Sequence, residues 1–469
     1  MTHYALLIDG TLHDSQHHDE VLDPATELPI GQAPRASDAQ VDQAVTAAHR
    51  AWPTWAADLP ARKQALGEAA RILKENQQAI AELISLEQGR PLHFTQGEVA
   101  GTIATFAHYA AFDAPEAQVL RDDDQRRVKV ERRPLGVVAA ITPWNVPIIL
   151  LVHKLAPALH AGNAVVVKPS EHTPLSTLLL GQLLKDVFPA GVLNIIAGDG
   201  QVGERLSRHP LVRHITFTGS VATGKRLYAG AADDLKRLTL ELGGNDAALV
   251  LDDADPEAIA EALFWGAFWN TGQVCFAIKR LYVHESLFER TLAALVARAQ
   301  RTRIGHGLEP GTELGPLTTR QQLERVEALV ADAVANGATL HSGGHRLAGP
   351  GFFYAPTFVT GVGAGVALVD EEQFGPVLPL IPFNDDDQAV ALANSSPYGL
   401  GASVWTADTT RGEALARRLD VGLAWVNQHL DIQPGAPKGG YKWSGLGYEG
   451  GWQGYEAFTQ LQVVNTRRS

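Results

Sequence analysis

The chain has 469 residues, too many for one ordinary core, and implies two or three domains. Hydrophobic residues make up 45% and charged residues only 19%, so much of the chain can be buried, partly between subunits. The net charge of −13 argues against nucleic acid or an anionic membrane as a partner, and the one cysteine, Cys275, excludes an intrachain disulfide or a thiolate metal cluster.

Residues 1–10 carry no basic leader segment, and apolar stretches such as 146–152 fall far short of the roughly 18 residues that span a bilayer, so a cytoplasmic location is expected. The first helix is predicted from Val41, Ala44, Val45, Ala48 and Trp52 on one face, with Ser37 as its N-cap. The charged run RDDDQRRVKVERR at 121–133 reads either as a solvated loop or edge hairpin, or as an edge strand that pairs with another subunit. From about residue 135, short β-branched runs alternate with amphipathic stretches. Strands are predicted at 135–141, 164–168, 193–196, 214–218 and 238–242, with helices at 148–160, 175–187, 202–207 and 222–231. This alternation predicts a parallel sheet covered on both faces, with ligands at its strand ends. A second strand series follows at 247–251, 280–283, 377–382, 402–405 and 423–426. A glycine- and aromatic-rich region, 435–458, precedes a tail of mixed polarity at 459–466. The histidines, including His13, His17 and His18, show no spacing that demands a metal and read as solvated surface.

Four places carry possible chemistry. Cys275 lies in GQVCFA, where it is either a small buried hydrophobe or a nucleophile with a nearby backbone N–H for an anion. Glu241 ends an apolar run and opens onto Leu242-Gly243-Gly244-Asn245, a setting for a salt bridge or for a general base. Asn145 sits in TPWNVP, where prolines stiffen a loop after a strand, so its amide can cap the next helix or donate to an oxyanion. The segment FTGSVATGKR at 217–226 follows a strand and opens a helix, whose free N–H groups suit a phosphate. Arg226 stands where a magnesium-binding hydroxyl would complete a nucleotide-hydrolase loop, which argues against that class.

Together, PWN at 143–145, KPSE at 168–171, FTGS at 217–220, LELGGN at 240–245, GQVCFAIKR at 272–280, EEQFGPV at 371–377 and GGYKWSGLG at 439–447 resemble the aldehyde dehydrogenase superfamily over nearly the whole chain, and the 34-residue spacing of Glu241 and Cys275 is also similar. The resemblance implies an α/β fold with two doubly wound α/β domains and a small β oligomerisation element. Residues 1–120 and 134–244 would form the dinucleotide-binding domain, and 245–446 the catalytic domain carrying Cys275. Residues 121–133 and 447–469 would form the oligomerisation element and C-terminal return of a homodimer or homotetramer.

It further implies oxidation of a small aldehyde to an acid without a metal. Cys275 would be the nucleophile, Glu241 the base, and Asn145 with the Cys275 N–H the oxyanion hole. Lys168 and Glu171 would hold the adenosine ribose, Ser220 would lie near the pyrophosphate, Glu372 would bind the nicotinamide ribose, and Phe374 would pack near the nicotinamide. Thr142, Trp144, Phe217, Gly219 and Leu242 complete the implied cofactor site. Glu171 favours NAD, since a carboxylate accepts from a 2′-hydroxyl and repels a 2′-phosphate, although nearby Lys168 leaves NADP possible. Lys154 matches a lysine that the family links to proton relay, or is a snorkelling helix lysine. Trp452 stands where the relay's far end often carries a glutamate, so the relay is not carried over. Lys438 in place of the usual PFGG phenylalanine, and Tyr448 where an arginine often follows the glycine, bear on the substrate. A coenzyme-A-acylating relative would not need Glu241, and a non-catalytic relative would be expected to lack Cys275, Glu241 or Asn145; all three are present.

Overall fold

In the computed structural model, which describes residues 4–114, 117–433 and 435–468, two largely parallel sheets dominate the chain. The ends of the expected dinucleotide-binding and C-terminal segments, residues 1–3, 115, 116 and 469, and residue 434, lie outside the described residues. The first sheet has eight strands, in the order Thr11–His13, Leu6–Ile8, Leu193–Ile195, Ala164–Lys168, Val137–Ile141, Val212–Thr218, Arg237–Glu241 and Gly445–Leu446. Its five central strands run parallel, and both edges are antiparallel. From Val137–Ile141 the chain moves outward to Ala164–Lys168 on one side and returns to Val212–Thr218 on the other. That reversal leaves a crevice at the carboxyl ends of these two strands, where open α/β sheets hold ligands.

The second sheet has seven strands, Thr339–Leu340, Thr357–Thr360, Val377–Phe383, Ile278–His284, Asp246–Val250, Gly401–Trp405 and Leu423–Val426, parallel except at the Thr339–Leu340 edge. Strand Asp246–Val250 shows why it is buried on both faces. Ala247 and Leu249 join one apolar cluster, while Ala248 and Val250 join another on the opposite face. A third sheet of Gln118–Asp122, Arg126–Pro134 and Thr459–Arg467 takes up the charged run as a hairpin, paired with the C-terminal tail.

The predicted elements of both series form within a few residues of their expected bounds: helix Pro147–His160, for instance, was expected at 148–160, and Val221–Ala231 at 222–231. The first helix, Asp38–Ala57, opens on a capping box in which Ser37 accepts from the Gln40 N–H and the Gln40 side chain accepts from the Ser37 N–H. The strands Leu6–Ile8, Thr11–His13, His17–Leu22 and Pro29–Arg35 were not anticipated. They are short, and the Pro29–Arg35 hairpin strand includes two prolines, so the periodic signal is weak. Among the described residues, no helix is long and apolar enough to cross a membrane, and no group of three or more His, Cys, Asp or Glu is placed to hold a metal.

Candidate active site

Cys275 lies three residues before strand Ile278–His284, on a loop that the backbone holds tightly. Asn270, Thr271 and Gly272 all have φ between 52° and 75°, the left-handed region. Only Gly272 is free of steric cost there, and it is also pressed against its neighbour: a Cβ would lie 2.3 Å from the Gly375 carbonyl oxygen. The strain at Asn270 and Thr271 is held by buried amides. Gln88 donates to Asn270 Oδ1 and Thr318 Oγ1, each at 3.0 Å; Gln273 donates to the Asn270 carbonyl at 3.1 Å and accepts from the Thr318 N–H at 2.8 Å.

Asn145 joins this network rather than capping a helix. It is buried, its amide donates to the Gln273 carbonyl at 2.9 Å, and its own carbonyl accepts from Asn270 at 3.0 Å. A primary amide has a second N–H, which leaves Asn145 a donor beyond this bond. The helix that follows, Pro147–His160, is capped by Glu98, whose carboxylate accepts from the N–H groups of Ile148 and Ile149 at 2.8 and 3.1 Å. Glu98 in turn pairs with buried Arg90.

Glu241 ends strand Arg237–Glu241 on the first sheet, and three residues later Gly244 packs against the Cys275 loop. A Cβ on Gly244 would stand 2.6 Å from the Cys275 carbonyl oxygen, so the LGG turn demands glycine by contact. Thus the carboxylate and the thiol, on different sheets, are tied through one short turn. Glu241 Oε1 is buried and has no hydrogen-bond partner among the described residues. Burial, and then the Glu449 carboxylate, hold the Glu241 carboxyl well above the usual carboxylate range, against the pull of Lys438 and Lys154. Burial also pushes the partly accessible Cys275 thiol up to about 12, opposed first by Lys279.

Lys154 is fully buried and donates to Thr218 Oγ1 at 2.6 Å and to Glu449. The far member of this cluster is therefore Glu449 and not the position of Trp452. Lys438 and Glu449 exchange backbone hydrogen bonds of 2.7 and 2.8 Å, a register that turns Glu449 inward, while Trp452 lies three residues on and stacks over Tyr455 at 5.4 Å. The signal was present in the sequence as a lone acid in GYEGG. Lys438 lies beside the same carboxylate, 3.4 Å from Glu449 Oε2 and 2.8 Å from His153 Nδ1, so the unusual lysine is inside the acid–base cluster. Although burial opposes it, the two lysines hold Glu449 below its ordinary range, so the pair's electrostatics favour ionisation at Glu449 over Glu241. Tyr448 remains exposed.

Beside this centre runs a cleft of about 1660 Å³ at the crevice of the first sheet. Thr142, Trp144, Lys168, Glu171, Phe217, Gly219 and Ser220 all line it. Lys168 is buried and lies 3.4 Å from Glu171, whose carboxylate is 40% exposed and so faces the cleft with capacity to spare. Burial lowers the Lys168 ammonium from its usual range, and Glu171 partly offsets this. Ser220 caps helix Val221–Ala231 by accepting from the Thr223 N–H. Leu242, Glu372 and Phe374 are not in the cleft wall but back it. Leu242 fills the space beside Gly224 in that helix, Glu372 accepts from the Gly244 N–H at 3.1 Å, and Phe374 meets Trp144 edge-on at 5.4 Å. Sequence reading gave no role to Lys279, Gln88 or Asn270, which hold the loop.

Comparison with known proteins identifies the family. The family model described as "Aldehyde dehydrogenase family" matches residues 12–464. A 3-sulfolactaldehyde dehydrogenase of Pseudomonas putida is 37% identical over 463 residues, covering 96% of this chain and 94% of the relative. An NADP/NAD-dependent aldehyde dehydrogenase of Escherichia coli is 38% identical over 454 residues, covering 95% and 91%. The solved structure of betaine aldehyde dehydrogenase from Staphylococcus aureus in complex with NAD+ has a TM-score of 0.97 at 32% identity, covering 100% of this chain and 95% of that one. The chain belongs to the aldehyde dehydrogenase family.

Proposed function

We propose that the protein oxidises an aldehyde to a carboxylic acid through a thioester on Cys275, with NAD preferred over NADP. The observation that carries this reading is the close tie between the Cys275 loop and the turn that follows a buried carboxyl, Glu241, whose Oε1 has no partner among the described residues. The cleft residues fit a dinucleotide: a large groove of mixed polarity at a sheet crevice, a helix N-terminus at Ser220 for phosphate, and a half-exposed carboxylate at Glu171 for a ribose hydroxyl. Lys168, Glu171 and Ser220 would hold it, with Thr142, Trp144, Phe217 and Gly219 shaping the groove and Leu242, Glu372 and Phe374 supporting that wall from behind. When bound, the nicotinamide supplies the hydride acceptor.

The chain's own residues perform the rest. The Cys275 thiolate adds to the aldehyde carbon and gives a tetrahedral alkoxide. The Asn145 amide and the Cys275 N–H donate to that oxygen; losing one such donor elsewhere costs about 2.7–4 kcal/mol. Loss of the carbon's hydride with its electron pair leaves a thioester on Sγ. Glu241, once ionised, takes a proton from water, whose oxygen attacks the thioester carbonyl and releases the acid and the Cys275 thiolate. Lys154, Glu449 and Lys438 set the charge around Glu241, and Lys154 hands protons along the buried cluster. This water-handling carboxylate favours hydrolysis over acyl transfer to coenzyme A.

In this reading, residues 1–120 and 134–244 form the dinucleotide-binding domain, with Gly445–Leu446 returning to its sheet, and 245–446 form the catalytic domain. Residues 121–133 and 447–469 form an oligomerisation element of a cytoplasmic homodimer or homotetramer; Leu461 and Val463 on the tail strand are about 60% exposed in the single chain, as an unfilled interface would be. NADH absorbance with aliphatic, aromatic, amino and carboxy aldehydes, with and without coenzyme A, tests the reading. Turnover independent of coenzyme A supports it, and turnover only with coenzyme A overturns it.

A further inference from the structure

The strand after the nucleophile carries a buried cation that no step above uses. Lys279 is the second residue of strand Ile278–His284, and its side chain is 2% exposed. Its Nζ donates to the Val274 carbonyl at 2.8 Å and to the Cys275 carbonyl at 2.6 Å, and lies 3.2 Å from Glu372 Oε1. An ammonium has three N–H donors and no acceptor, so these partners use its full capacity. The strand holds the lysine in turn, since the Lys279 carbonyl accepts from Gln373, the neighbour of Glu372, at 2.9 Å.

The Val274 carbonyl and the Cys275 N–H are two ends of one peptide group. That group is planar and conjugated, and in its trans form the C=O and N–H point in opposite directions. A cation held at the oxygen draws electron density toward it and leaves the N–H more positive; hydrogen-bonded groups in a low-dielectric interior polarise one another in this way. The ammonium at Val274 therefore strengthens and aims the donor that faces the developing oxyanion. Its second bond fixes the next peptide, whose Cys275 carbonyl is already confined by Gly244 on the other side. Its third partner, Glu372, belongs to the cofactor side of the site.

We propose that Lys279 is a positioning residue for acylation, polarising and orienting the Val274–Cys275 peptide and tying it to Glu372. The inference rests on the reading of Cys275 as nucleophile with its N–H as oxyanion donor. A purely structural lysine would only satisfy buried carbonyls, a task that a neutral donor performs as well; the charge is what separates the two roles. The charged groups that bear on the thiol are Lys279 and Lys438, which favour its thiolate, and Glu372 and Asp246, which oppose it.

The test uses the full-length protein with Lys279→Arg, Lys279→Gln and Lys279→Met. The first readout is the pH dependence of Cys275 alkylation by iodoacetamide without cofactor, and the second is the pre-steady-state burst of NADH. The neutral variants are expected to raise the alkylation midpoint by about one pH unit, as loss of a nearby opposite charge does. They are also expected to slow the burst about tenfold or more, since a weakened oxyanion donor is part of a lost one. Lys279→Arg, which keeps the charge, is expected to return both toward the wild type. If Lys279→Met fails to fold, Lys279→Gln and Lys279→Arg carry the comparison, because both still donate and they differ in charge. Wild-type midpoint and burst rate in the neutral variants would overturn the proposal. Cys275→Ala separates the possible failures: if that variant still turns over, the nucleophile reading falls too, and if it is dead while the Lys279 variants behave as wild type, only this inference falls.

Discussion

The cofactor groove and the nucleophile loop are neighbours built on opposite principles. The groove is wide and of mixed polarity, and two of its lining groups, Glu171 at 40% side-chain exposure and Ser220, keep contact with solvent. The loop is closed: Asn145, Asn270, Gln273 and Lys279 are all nearly buried, and each of these four side chains makes hydrogen bonds within the loop or to its neighbours. In the proposed function the groove admits and releases a dinucleotide, a task suited to binding spread over many contacts. The loop has to hold a thiol and its donors to a fraction of an ångström, so its order is enforced by strain and buried hydrogen bonds. Substitutions in the loop are therefore expected to cost orders of magnitude in rate, and those in the groove to shift preference.

The largest effect is expected for Cys275→Ala, a loss of at least about 10⁴-fold in kcat/KM with NAD binding retained, because the covalent route has no substitute. Isothermal titration with NAD beside a turnover assay checks both halves, and loss of NAD binding in step with activity would erase the contrast between the two regions. Next, Glu241→Gln is expected to lower steady-state kcat by about 10²–10⁴-fold while the first-turnover burst of NADH persists, since the base serves the hydrolytic step. Stopped-flow absorbance separates the burst from the steady state.

Asn145→Ala is expected to slow acylation by about 10²–10³-fold. It should also lower thermal stability, measurable by a melting curve, because the buried Gln273 carbonyl loses the Asn145 amide. The acid–base cluster sharpens the comparison through pH. In the proposed mechanism Glu241 serves as a base only when ionised, and its carboxyl is held above the ordinary range, so hydrolysis is expected to rise with pH through a midpoint above that range. Lys438 favours the ionised form, so Lys438→Met is expected to move that midpoint to higher pH by about one unit, read from the pH profile of kcat. The smallest effect belongs to the groove: Glu171→Gln is expected to reduce the NAD to NADP ratio of kcat/KM by about tenfold, the order of a single lost discriminating contact.

Much of the fold was legible because its strands are unusual in composition. Val137–Ile141 and Ala164–Lys168 are β-branched runs buried along their whole length, and the helices between them carry clear apolar faces. The short N-terminal strands were not legible, since runs of three to seven residues, whether buried like Leu6–Ile8 or exposed like Thr11–His13, carry little periodicity. At the site, Cys275, Glu241 and Asn145 stood out through motif and company. Glu449 did not, because nothing local to it shows that the ladder with Lys438 turns it toward Lys154; an adjacent aromatic, Trp452, was set in its place. Lys279 was also hidden inside a quoted motif. Its significance lies in where four side-chain methylenes carry an ammonium, which spacing alone does not reveal.

The most direct measurement is mass spectrometry of Glu241→Gln, acid-quenched after mixing with aldehyde and NAD and mapped by peptide. An acyl mass on the peptide containing Cys275, appearing within the first turnover and decaying slowly, is the expected result. Sustained turnover in that variant with no acyl group on Cys275 would contradict the account.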